Sequence, residues 1–156
     1  MRRHAIYLIP TLLLSASVVA APAPVKVEVL QTKLDHPWSL AFLPGNQGLL
    51  ITMRGGQLRH WQAGKGISDP IVGVPRVWAN GQGGLLDVVL APDFAQSRRV
   101  WLSYAEVGND GKAGTAVGYG RLTDDLSRIE SFQVVFRQQP KLSPGNHFVG
   151  RRPLDG

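Results

Sequence analysis

Short apolar segments, alternating or continuous, recur between turns along this chain, and no stretch of twelve residues carries a helical apolar stripe. "VKVEVLQ" (25–31) is the clearest alternating case and predicts a half-buried strand. The same reading predicts strands at "SLAFL" (39–43), "LLITM" (49–53), "LRHW" (58–61) and "LLDVVLA" (85–91). Three more are predicted at "VWLSYAEV" (100–107), "TAVGYGRL" (115–122) and "FQVVFR" (132–137). Turn chemistry such as "PGNQG" and "RGG" separates them. Short strands at this regular spacing define an all-β chain: a sandwich, a barrel or a propeller.

A weak internal repeat selects the propeller. "LAFLPGNQGLLIT" (40–52) lines up with "VVLAPDFAQSRRVWLSY" (88–104), each a buried strand, a proline, a turn and a second strand. Pro44 and Pro92 lie 48 positions apart, within the ~40–50 residue period of propeller blades. A third unit is expected to open at "RRPLDG", so the chain reads as two blades and the start of a third. Closing the ring is what covers blade faces. An incomplete ring is therefore expected to leave apolar faces and strand edges open.

Composition adds an address and removes several chemistries. Arg2 and Arg3, the uncharged stretch Ala5–Val19 and the small residues of "VVAA" form a secretory signal pattern, with cleavage expected after Ala20. That stretch is interrupted by Pro10 and falls short of the roughly 18–20 residues a membrane span needs. Residues 1–20 are thus read as a signal peptide and 21–156 as the folded part, exported to the periplasm with no membrane anchor left after cleavage. Cysteine is absent, which excludes a lipoprotein anchor, disulfides, thiolate metal sites and thiol catalysis. Two of the 17 basic residues lie in the signal, leaving 15 against 11 acidic residues, a net +4. These charges are scattered, whereas nucleic-acid binding calls for a clustered patch.

Two loops carry candidate chemistry. In "NGQGGLLDVVLAPDF" (80–94), three glycines around Gln82 allow a tight turn at the end of a strand. The Gln82 amide could face a channel with both a donor and an acceptor, or simply cap a backbone group. About one blade later, "GNHFVGR" (145–151) sets Asn146 beside His147, the side chain best suited to take a proton near neutral pH. A histidine alone in a turn is more often a surface residue. Its equivalence to the Gln82 loop argues that both face one channel. "GNDGKAG" (108–114) lacks the spaced acids of a calcium loop and is read as a hairpin turn. Asp124 and Asp125 are read as a solvated turn, and the four histidines are too dispersed for a metal site.

The segments "LDHPWSLAFLP" (34–44), "GQGGLLDVVLAPDFAQSRRVWLSY" (81–104), "GYGRL" (118–122) and "GNHF" (145–148) closely resemble the start of soluble aldose sugar dehydrogenases. These belong to the glucose/sorbosone dehydrogenase family, which uses pyrroloquinoline quinone (PQQ). The resemblance runs from about Val25 to Phe148 and implies a six-bladed propeller, in agreement with the repeat. It implies oxidation of aldose sugars at the anomeric carbon to lactones, with His147 as catalytic base, Gln82 lining the sugar site and Asn146 orienting the base. It also implies PQQ and calcium as cofactors and an external electron acceptor.

Val149 stands where the family has glycine, and Arg152 and Pro153 stand where a strand is expected. The quinone-binding arginines and lysine and the calcium ligands of the family are expected beyond Gly156, so this chain is expected neither to retain PQQ nor to turn over sugar alone. No metal ligand is assigned within it. Two other readings stay open here. One is a non-enzymatic propeller module that binds sugars or peptides, and the other a truncated product without function.

Overall fold

The computed structural model describes residues 25–143, 147 and 148. The signal segment, Asn146 and the "RRPLDG" end lie outside the described residues. Eight strands form two four-stranded antiparallel sheets, each ordered as the chain runs. The first contains β1 (Pro37–Phe42), β2 (Leu49–Met53), β3 (Gln57–Gln62) and β4 (Gly66–Ile67). The second contains β5 (Leu85–Leu90), β6 (Arg99–Val107), β7 (Ala113–Leu122) and β8 (Ile129–Arg137). Two up-and-down meanders packed face to face are propeller blades, and the repeat marks their first two strands. Pro44 opens the β1–β2 turn and Pro92 the β5–β6 connection.

Between β5 and β6 the turn tightens into a single helical turn, α1 (Phe94–Ser97). Phe94 is buried there, and Arg98 ends the turn in the left-handed region at φ +56°. The Arg98 guanidinium lies 4.6 Å from the Phe94 ring centre.

The strand predictions hold for seven of the eight segments, and the miss is instructive. Residues 25–31 form no ladder, and Val25, Val27 and Val29 are 90, 85 and 73% exposed. Alternation supplies a face that could be buried, but a strand also needs a neighbour's row of N–H and C=O groups. No described strand offers one to this segment. β4 was not predicted, because two residues carry no periodicity.

The main core lies between the sheets. Leu50, Leu58 and Ile71 from the first side meet Leu85, Val88, Val100, Leu102 and Tyr104 from the second. The opposite face of β2 forms a smaller cluster of Leu49, Ile51 and Met53 with Leu34, Trp61 and Ile67 packed on it. Burial on both faces explains why "LLITM" is continuously apolar. Thr52, fully buried, is its polar exception. The Thr52 hydroxyl donates to the Leu86 carbonyl of the other sheet at 2.8 Å and accepts the Ser39 N–H at 2.9 Å. Ser39 also donates to the Asp87 carboxylate, a second polar tie between the inner strands.

Candidate functional site

The loop that carries Gln82 is built by its backbone. Trp78 N–H donates to the Ala105 carbonyl at 2.7 Å, and Ala105 N–H returns a bond to Gly84 at 2.9 Å. Leu85 N–H donates to Arg54, just past β2, at 3.2 Å. Within the loop, Asn80 accepts the Gly81 N–H on its side chain and the Gly83 N–H on its carbonyl, at 3.0 and 2.8 Å. Arg54 Nη1 closes the cage on the Gly81 carbonyl at 3.2 Å. Gly83 is required for space. A Cβ there would stand 2.3 Å from the Trp78 carbonyl oxygen, and that backbone cannot retreat without breaking its bond to Ala105.

This cage presents Gln82 outward at the end of the sheets where the β6–β7 hairpin also lies. The His147 backbone N–H donates to Gln82 Oε1 at 3.1 Å. Residues 65 positions apart in sequence are thus brought together, through the backbone of His147 and the side chain of Gln82. The bond also orients the amide. Because its oxygen faces a donor, the two Gln82 Nε2 hydrogens point away, and no described residue accepts them. His147 is exposed and sits at φ +66°, a left-handed conformation of roughly 1 kcal/mol cost for a non-glycine residue. Its neighbour Phe148 packs its ring 6.0 Å from Trp78, on the stem of the Gln82 loop. The third candidate, Asn146, lies outside the described residues.

An exposed imidazole and an outward amide can together receive a proton and hold a hydroxyl. They do not make a cofactor site. Among the described residues no cluster of three or more His, Asp or Glu could hold a metal ion. The guanidinium beside the loop, Arg54, is engaged with Gly81. The described residues at this loop thus supply one proton acceptor and one amide. A cleft of about 620 Å³ lies elsewhere: it runs along β1 past Trp38, Ser39 and Asp87 and includes neither His147 nor Gln82. His36 pairs with Asp35, and His60 Nε2 lies 2.5 Å from the Gln47 carbonyl, so the described histidines do not converge.

Sequence reasoning missed Trp78, Arg54 and Asn80. Asn80 and Trp78 could have been suspected from their closeness to "GQGG", but Arg54 had no local signal, since it reaches the loop across the blade boundary.

Two four-stranded up-and-down meanders packed on one core place the chain among the β-propellers. The glucose/sorbosone dehydrogenase family model matches residues 34–155, and the chain belongs to that family. It is 72% identical to aldose sugar dehydrogenase YliI of Escherichia coli over all 156 residues, covering 42% of that protein. It is 35% identical over 146 residues to an uncharacterised Synechocystis protein, covering 34% of it. The chain thus spans well under half the length of the curated relatives it matches.

Solved structures agree. The apo soluble aldose sugar dehydrogenase of Escherichia coli superposes with a TM-score of 0.78 at 79% identity, over 80% of this chain and 36% of that one. A PQQ-bound aldose sugar dehydrogenase of Streptomyces coelicolor superposes with a TM-score of 0.56 at 25% identity, over 70% of this chain and 32% of that one.

Proposed function

We propose that this chain forms the base-bearing part of a periplasmic, PQQ-dependent aldose sugar dehydrogenase that oxidises the anomeric carbon to a lactone. The observation that carries the reading is the His147–Gln82 juxtaposition on blades of this family. A neutral His147 imidazole takes the proton of the anomeric hydroxyl as the C1–H bond breaks. Gln82 Nε2 donates to a sugar oxygen and holds the ring against the base. Asn146 is assigned the orientation of the imidazole. PQQ, if bound in the full gene product, would supply the two-electron acceptor for the C1 hydride, and an external acceptor would be needed to regenerate it.

The test is aldose-dependent dye reduction by the full gene product with PQQ and calcium added. His147→Ala should lower kcat at least ~100-fold, the lower range for a positioned general base. Undiminished turnover would remove His147 from the reaction. Saturable sugar binding with no turnover in the wild type would favour the binding-module reading instead. For the periplasmic assignment, N-terminal sequencing of the exported protein should begin at Ala21. An uncut chain beginning at Met1 would reject it.

A further inference from the structure

The stretch that follows β8 is tied to β6, β7 and their hairpin by both side-chain and backbone bonds. Gln138 exchanges bonds with Thr115, its N–H donating to the Thr115 carbonyl at 2.8 Å and its Oε1 accepting the Thr115 N–H at 3.0 Å. Leu142 pairs with Ala113 through two backbone bonds of 2.9 and 3.0 Å. Between them Lys141 reaches inward. Its ammonium donates to Glu106 Oε2 at 2.5 Å and to the Val107 carbonyl at 3.1 Å, and only 15% of its side chain is exposed. Arg137 Nε donates to both oxygens of the same carboxylate, at 2.9 and 3.2 Å.

The hairpin is cut to fit this lysine. A Cβ on Gly108 would stand 2.6 Å from Lys141 Cδ, and one on Gly114 would stand 3.1 Å from Lys141 Cγ. Neither glycine has a positive φ, and added Cβ atoms would also meet the Lys112 carbonyl oxygen at 3.0 Å and Gln138 Cβ at 3.3 Å, so both positions are closely packed. These are the first and last residues of "GNDGKAG", a stretch with no chemistry of its own. By contrast, the described ties of His147 and Phe148 are one exposed neutral hydrogen bond and a ring contact. An exposed neutral bond contributes about 1 kcal/mol net, and charge-assisted bonds are roughly twice as strong.

We propose that Lys141, clamped to Glu106 between Gly108 and Gly114, is a positioning residue that sets where His147 stands. Only four residues lie between Leu142 and His147 in sequence, a reach of at most about 18 Å fully extended, so the histidine stays close along the chain to the upstream anchor. The catalytic half of the proposal rests on the reading of His147 as base.

Lys141→Met keeps most of the stem and removes the charge, and Glu106→Gln keeps the shape of its partner. The amide exchange of His147, followed by NMR, should quicken about 5-fold in either variant as the clamp opens locally. In the full gene product kcat should fall about 10-fold with little change in KM, since misplacing a base by a fraction of an ångström penalises the chemical step. The double variant should be no worse than the poorer single one, because the two side chains act as a unit. Should Lys141→Met not fold, Glu106→Gln carries the test. Unchanged His147 exchange in the variants, whatever happens to turnover, overturns the proposal. Turnover that survives His147→Ala removes the base assignment but leaves the exchange result to decide the positioning role.

Discussion

Gln82 has two functions that can be separated at the level of single atoms. Its oxygen holds the His147 N–H, and its nitrogen is available to a ligand. Gln82→Glu keeps an acceptor and loses the donors, whereas Gln82→Ala loses both. Both should therefore raise KM for the sugar, by roughly 5–10-fold for one net hydrogen bond, while Gln82→Ala alone should also quicken exchange at the His147 amide. Equal exchange in the two variants would mean that the bond to His147 does not order the loop. Gly83 offers a purely steric test. With the Trp78 carbonyl 2.3 Å from an added Cβ, Gly83→Ala should destabilise the protein by about 1–3 kcal/mol in a denaturant titration. The sequence marks both residues as loop members. Which atom of Gln82 is engaged depends on a partner 65 positions away and has no local signature.

Between elements, the inner strands are joined by polar ties as well as by the core. Thr52→Val would keep volume but leave the Leu86 carbonyl and the Ser39 N–H without their Thr52 partner in a buried setting. A loss of about 1–3 kcal/mol is expected by thermal or chemical denaturation. A neutral result would show that water or a shift of β1 replaces the hydroxyl.

The Glu106 clamp carries a pH dependence. Burial pushes its carboxyl up, but hydrogen bonds from Lys141 and Arg137 outweigh that and hold it below the usual 4.5. An acid depressed on folding stabilises above its unfolded pKa and loses that stabilisation as pH falls through the folded value. The clamp should therefore be complete at neutral pH and open only below about pH 4.5. Tyr104, raised first by burial and then by Glu106, remains neutral through this window. The Glu106 carboxyl carbon shift, titrated by NMR, should report it, and a midpoint above 4.5 would contradict the assignment.

At the scale of the whole molecule, the faces away from the shared core are incompletely covered. Trp38, Leu40 and Phe42 of β1 are 50, 46 and 72% exposed, and Val135 and Phe136 of β8 are also exposed. The 156-residue chain should accordingly bind an apolar dye and associate at micromolar concentration, and Phe42→Ser should reduce both. A monomer that melts sharply without binding the dye would contradict this.

What the sequence determined by itself is local. Period-two patterning, proline and glycine placed the strands and turns, because these signals act within a few residues of one another, and repetition of such a local pattern after 48 residues marked two blades. The sequence could not decide whether an alternating segment finds a partner: residues 25–31 alternate as well as any strand here, yet pair with no described neighbour. Nor could it reveal that Gly108 and Gly114 make room for Lys141, that Arg54 braces the Gln82 loop, or that Gln82 turns its oxygen to His147. Each of these depends on atoms brought together across a sheet or a blade boundary, and only packing in three dimensions selects those pairs from the many that the chain would allow.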